Sequence, residues 1–164
     1  MKSTASIVLI WLLVAGAIYW AFDALILRQH NPNVASMSQT HGEILKLKRS
    51  KDGHFRLSAM LNQQAVVLMI DTGASSLTID ESLAQQLSLE RGEAFVTQTA
   101  NGPSPAYWSN IEQLQFGPFE LENIKVAVVP RLGDEALLGM NVLKFFAVQI
   151  SGNEMTLQSS SNRH

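Results

Sequence analysis

The sequence predicts an all-β domain with a few short helices, carried behind a single N-terminal membrane-spanning helix. Three observations support this expectation. Ile7 to Phe22 is uncharged and almost wholly apolar, the apolar residues from Glu43 onward recur mostly with a period of two, and Ala65 to Ile70 is apolar without interruption. A period of two puts alternate side chains on one face of a sheet, whereas a helix repeats every three to four residues.

The 164 residues, 46% of them hydrophobic, allow one modest domain with appendages. Twelve basic against fourteen acidic residues give a net charge of -2, with no basic stripe to follow a phosphate backbone, so no nucleic-acid partner is expected. The absence of cysteine excludes thiol catalysis, disulfides and cysteine-ligated metal. His30, His41, His54 and His164 lack zinc-binding spacing and no Gly-rich phosphate loop occurs, so neither a metal nor a cofactor is expected.

In chain order, residues 1–6 form a short tail and 7–27 an anchor, since a bilayer core requires roughly 20 apolar residues. Tyr19 and Trp20 suit the far interface, with Asp23 reaching the headgroups. Ala15-Gly16-Ala17 has the spacing of a signal-peptide cleavage site, but the apolar pattern continues past it to Leu27, which favours a retained anchor. A short, positively charged tail usually stays inside. The remainder is therefore expected outside the cytoplasmic (inner) membrane, on the periplasmic side. Residues 28–42, rich in Asn, Ser, Gln and Thr, read as a polar tether, 43–158 as the folded domain and 159–164 as a tail.

Within the domain, Glu43 to Leu47 and Phe55 to Leu61 read as strands joined in a hairpin at Lys51-Asp52-Gly53. Asn62-Gln63-Gln64 turns the chain into Ala65 to Ile70, whose unbroken apolar character suits a strand buried on both faces. Asp80 is placed to cap a short helix. Phe95 to Thr99 and Ala106 to Gln115 flank a turn-rich tip at residues 100–105, and Tyr107 and Trp108 read as packed hairpin aromatics. Phe119 to Val129 follows as a strand, Asp134-Glu135 as a solvated loop and Ala136 to Phe146 as a second helix. Ala147 to Ile150 and Met155 to Leu157 close the domain around Ser151-Gly152-Asn153.

The chemistry centres on Asp71-Thr72-Gly73-Ala74-Ser75, which follows the apolar strand directly. Hydrolysis of an amide without metal or nucleophilic side chain needs a base for water and an acid for the leaving nitrogen. Two carboxyl groups sharing one proton supply both. Thr72 offers a hydroxyl toward a partner loop, Gly73 allows close backbone approach, and Ala74 and Ser75 keep the channel open. Ser75 lies in Gly73-Ala74-Ser75-Ser76-Leu77, which lacks the second glycine of a nucleophile elbow. Taken alone, an Asp-Thr-Gly after a strand is more often an ordinary turn.

These residues, with Thr99-Ala100-Asn101-Gly102 and Ala136-Leu137-Leu138-Gly139-Met140-Asn141-Val142-Leu143, resemble the retropepsin-like aspartic proteases, in particular short bacterial members anchored in the membrane. The resemblance covers roughly Glu43 to Leu157. It implies a closed acid-protease β-barrel lobe, with Asp71 catalytic and Thr72, Gly73, Ala74 and Ser75 as the active-site loop. It further implies a flap tip at Thr99, Ala100, Asn101 and Gly102, with Leu137, Leu138 and Gly139 structural behind the site. Where retroviral enzymes carry an acidic residue and an arginine near the dimer contact, this chain has Ser76 and Met140, so another means of dimer stabilisation is implied. Only one Asp-Thr-Gly is present, so an enzyme of this kind would be a homodimer acting on polypeptide, one Asp71 from each protomer. The alternative is a non-catalytic, dimerising peptide-binding or scaffold module on the same fold.

Overall fold

The computed structural model describes residues 4–34, 42–99 and 102–160. Helix α1 spans Thr4–His30. Its Ser6–Ile26 segment, 21 residues with a mean hydropathy of 2.0, has no residue buried among the described residues and is long and apolar enough to cross a membrane by length and composition. The helix outlasts the apolar run and ends where Asn31 precedes Pro32, since a residue before proline is pushed out of the helical region. Asn31 and Asn33, expected in the tether, are buried against the domain, while residues 35–41 lie outside the described residues.

Ten strands follow among the described residues: β1 Ile44–Lys48, β2 Arg56–Leu61, β3 Gln64–Ile70, β4 Leu77–Asp80, β5 Ala94–Thr99, β6 Gly102–Phe116, β7 Phe119–Val129, β8 Glu135–Leu138, β9 Phe146–Ser151 and β10 Glu154–Ser159. Two short helices interrupt them, α2 Glu81–Gln86 and α3 Met140–Leu143. The larger sheet runs β2-β3-β8-β4-β7-β6-β5, and an additional β2–β6 pairing closes six of these strands into a barrel. Asn62 completes the closure: its N–H donates to the Gln113 carbonyl and its side-chain oxygen accepts the Gln113 N–H. The barrel interior is filled by Leu57, Leu61, Leu68, Leu77, Ile79, Ile111, Leu114, Val126 and Leu138, none of them solvent-exposed.

A second sheet has the order β1-β10-β9. The Lys51–Gly53 turn forms, with the Gly53 N–H donating to Ser50, but it joins no β1–β2 ladder. Among the described residues the one strand-type pairing between the two runs is an isolated Arg49–Phe55 bridge, and β1 pairs instead with β10 at the far end of the chain. The interval Ala136 to Phe146, expected as one helix, also divides. Ala136, Leu137 and Leu138 belong to β8, which runs parallel to β3, and only Met140–Leu143 is helical. Glu135 begins that strand, bonded to Arg56 rather than solvated in a loop. The β3 strand is less enclosed than its composition suggests, with Leu68 and Ile70 buried but Val66, Val67 and Met69 only half-buried. Pro103 and Pro105 fall inside β6 rather than in a turn. Proline is tolerated there because this part of β6 pairs only with β5, the β7 pairing beginning at Tyr107.

Asp80 caps α2 as expected: its carboxylate accepts from Ser82 N–H and hydroxyl and from the N–H of Leu132. Burial works to raise its pKa, but these hydrogen bonds prevail and hold it below the ordinary value. A lowered native pKa contributes stability that is complete above the unfolded value and lost as pH falls through the native one. Asp80→Ala should therefore cost about 1–2 kcal/mol in urea unfolding at neutral pH, with the difference from wild type shrinking below about pH 4.

Candidate active site

Asp71 leaves the C-terminal end of β3 beside the parallel end of β8, and its N–H donates to the Leu138 carbonyl at 3.2 Å. The loop then folds back on itself. Gly73 N–H donates to Asp71 Oδ1 at 2.8 Å and Ala74 N–H to the Asp71 carbonyl at 3.2 Å. These contacts fix one carboxylate oxygen and leave the side chain half-exposed at the floor of a cleft.

The segment after β8 holds this loop from behind. Met140 N–H donates to the Ala74 carbonyl at 2.8 Å and Asn141 N–H to Ser75 at 3.1 Å. The Asn141 side chain accepts from Leu77 N–H at 2.7 Å and donates to the Lys125 carbonyl at 2.8 Å, tying the loop to β4 and β7. Gly139 is buried between these contacts, and a Cβ there would lie 2.3 Å from the Ser76 carbonyl oxygen and 2.7 Å from that of Ala74. Its φ of -91° is ordinary, so this position requires glycine for space alone.

The cleft has a volume of about 940 Å³. One side is the loop with Asp71, Gly73, Ala74 and Ser75; the other is the β5–β6 hairpin, through Thr97, Gln98, Thr99, Pro103 and Ser104. Thr99 Oγ1 donates to the Gly102 carbonyl at 2.8 Å, joining the two described ends of the expected flap tip, while Ala100 and Asn101 lie outside the described residues. Leu137 faces the cleft and Leu138 the core. Thr72 is exposed, and Ser76, the last residue of the loop before β4, is buried. The structure thus brings Asp71, Gly73, Ala74, Ser75, Thr99 and Leu137 into one cleft, with Leu138 and Gly139 behind it.

Phe95 and Trp108, two aromatic residues of the wall, were not foreseen as cleft residues. Tyr107 is buried as expected, but Trp108 lines the cleft, its ring stacked on Phe95 at 4.3 Å with Lys125 Nζ over its face at 4.1 Å. Period two carries the available signal, because neighbours on a strand face opposite sides and Tyr107 already occupies the core side. Among the described residues no cluster of acidic and histidine side chains could hold a metal ion.

The family profile described as "gag-polyprotein putative aspartyl protease" matches residues 57–145. An uncharacterised protein of Rickettsia prowazekii (strain Madrid E) is 36% identical over 108 residues, covering 64% of this chain and 46% of that protein. An uncharacterised protein from the cobV 5′ region of a Sinorhizobium species is 26% identical over 117 residues, covering 68% and 50%. The chain thus spans about half the length of the curated relatives it matches. Among solved structures, a retropepsin-like aspartic protease from Rickettsia conorii superposes with a TM-score of 0.59 at 28% identity, covering 71% of this chain and 90% of that one. Barrel, loop and sequence agree, and the chain belongs to the retropepsin-like aspartic protease family.

Proposed function

We propose that the protein is a membrane-anchored aspartic endopeptidase in which the Asp71 carboxylates of two protomers activate water against a peptide bond. The observation that carries this reading is the half-site: one carboxylate, oriented by Gly73 N–H, on the floor of a cleft overhung by a hairpin, with no second Asp-Thr-Gly in the chain. Two carboxyl groups about 3 Å apart share one proton, so one acts as base toward water and the other as acid toward the substrate. A long groove beneath two overhanging hairpins suits an extended polypeptide. The β9 edge supports pairing of copies. In register with core residues Leu157 and Met155, Val148 and Ile150 stand on the same face of the sheet yet remain 38% and 53% exposed. Exposed Met140 lies close to the loop. An anchor at residues 7–27 with the domain on the periplasmic side completes the reading, and it confines both protomers to one membrane, raising their effective concentration.

The test is cleavage of a broad peptide library by the full chain in detergent, scanned over pH and protein concentration. Below the dimer dissociation constant, each twofold dilution should lower the rate about fourfold, since two chains make one site. No cleavage by a demonstrably dimeric protein would overturn the enzyme in favour of the binding module. Ile150→Lys should weaken the dimer by more than about tenfold in analytical ultracentrifugation while leaving the monomer folded, because it places a charge on the apolar β9 face.

A further inference from the structure

The expected tether between helix and domain begins with a segment built into the domain. Asn33 is 7% exposed and sits where β1 and β2 part. Its Nδ2 donates to the carbonyls of Lys48 at 2.8 Å and Arg56 at 2.7 Å, and its Oδ1 accepts the Lys48 N–H at 2.8 Å. One side chain thus stands in for the strand that neither β1 nor β2 has at this place. Asn31, 5% exposed, accepts from Asn33 N–H and donates to Ser58 Oγ. On the helix itself, Gln29 accepts from Lys51 through both backbone and side chain, and His30 meets Glu135. Glu135 also accepts from Arg56, whose guanidinium grips Asp52 through two nitrogens at 2.8 and 2.7 Å. Three stretches far apart in the sequence, the helix end, the Lys51–His54 turn and the start of β8, are thereby joined.

A flexible leash would place no constraint on where the cleft sits. This segment does. Gln29 is three residues beyond Ile26, the last of the apolar span, so about 4.5 Å farther along the axis. The headgroup layer on each side of the hydrocarbon core is roughly 5–7 Å deep, so the Lys51–His54 turn would rest within it. The cleft is close behind. Ser50 N–H bonds the His54 carbonyl, and the Ile70 N–H bonds that of Phe55, one residue before Asp71. Following these contacts at ~3.8 Å per Cα step and ~5.5 Å per ladder crossing keeps Asp71 within about 30 Å of Gln29.

We infer that residues 29–33 lock the protease domain onto the end of its membrane helix, holding the Asp71 cleft at a fixed height close to the bilayer, and that its substrates are polypeptide segments lying next to a membrane. The substrate part rests on the endopeptidase reading above; the lock does not. Burial of Asn31 and Asn33 also makes them part of the folded unit, so a domain trimmed to residue 42 would leave the Lys48 N–H and two carbonyls without their partner.

Two measurements on the full chain in nanodiscs decide it. The sequence has no cysteine, so Phe22→Cys with Gln86→Cys accepts spin labels cleanly; labelled chains are diluted with unlabelled protein and the distance distribution read by double electron–electron resonance. A single narrow distribution supports the lock, and Asn31→Ala with Asn33→Ala should broaden it; a broad distribution in the otherwise native protein overturns it. In the second, a peptide cut in the library is placed in single-pass reporters in the same bilayer, about 10 residues from the span or beyond a rigid helical spacer of ~80 Å. Near cleavage should exceed far cleavage by at least about tenfold. Equal rates, or no cutting of the near reporter while the free peptide is cut, overturn the substrate class. If free peptide too is uncut, the protease reading fails, while the distance distribution still decides the lock.

Discussion

Asp71→Asn should lower peptide cleavage by at least about 10³-fold while leaving the melting temperature within about 2 °C of the unsubstituted protein. The two halves of this expectation have separate causes. Asparagine keeps an oxygen where Asp71 Oδ1 accepts the Gly73 N–H, and the Asp71 N–H to Leu138 is backbone, so the loop loses no hydrogen bond it needs to fold. What the proposed mechanism loses is its ionisable pair, since an amide neither takes a proton from water nor returns one to the leaving nitrogen. The pH dependence of the active enzyme should be bell-shaped, because the pair works only with one proton between its two carboxyls. Mixing gives a sharper check. At constant total protein, co-assembly of native chain with an equal amount of Asp71→Asn protein should reduce activity to about a quarter, the share of dimers with two native chains, whereas self-sufficient monomers would retain about half. A residual near one half would overturn the shared site, and unaltered cleavage by the pure variant would remove Asp71 from the chemistry.

What could be read from the sequence was what is local. The Asp71 loop announces itself because an apolar strand, a carboxylate and small residues are consecutive, and the Asp80 cap because the cap residue and the helix it serves are adjacent. Where a partner lies far along the chain, local signals misled. The Lys51-Asp52-Gly53 turn is real, but the strand partner of β1 is β10, and nothing near Leu45 says so. Ala136, Leu137 and Leu138 suit helix or buried strand equally by composition, and the parallel pairing with β3 decides for strand. Asn31 and Asn33 were hidden for another reason. Two asparagines in a polar stretch carry no periodicity, and their meaning lies wholly in which backbone groups of Lys48, Arg56 and Ser58 they reach.

Gly139→Ala should cost more than about 3 kcal/mol, enough to leave the domain largely unfolded at 37 °C, although alanine is the smallest side chain available. Backbone conformation supplies no part of this, because φ of -91° is one that alanine adopts freely. The cost is steric. The added methyl would stand 2.3 Å from one carbonyl oxygen and 2.7 Å from another, and both belong to the loop whose carbonyls accept from Met140 and Asn141. Relief therefore means pulling α3 away from the loop, which breaks those hydrogen bonds and the Asn141 bridge between Leu77 and Lys125. Gly73→Ala is the matched control. Its methyl meets only Asp71 Oδ1, at 3.1 Å, and a carboxylate can rotate where a backbone carbonyl cannot. That variant should unfold in urea within about 1 kcal/mol of the unsubstituted chain yet cleave far more slowly, because the carboxylate that moves is the one to which the proposed endopeptidase mechanism assigns catalysis. Equal stability losses at the two positions would show that the loop yields as a whole, and that the fit behind it does not set the position of Asp71.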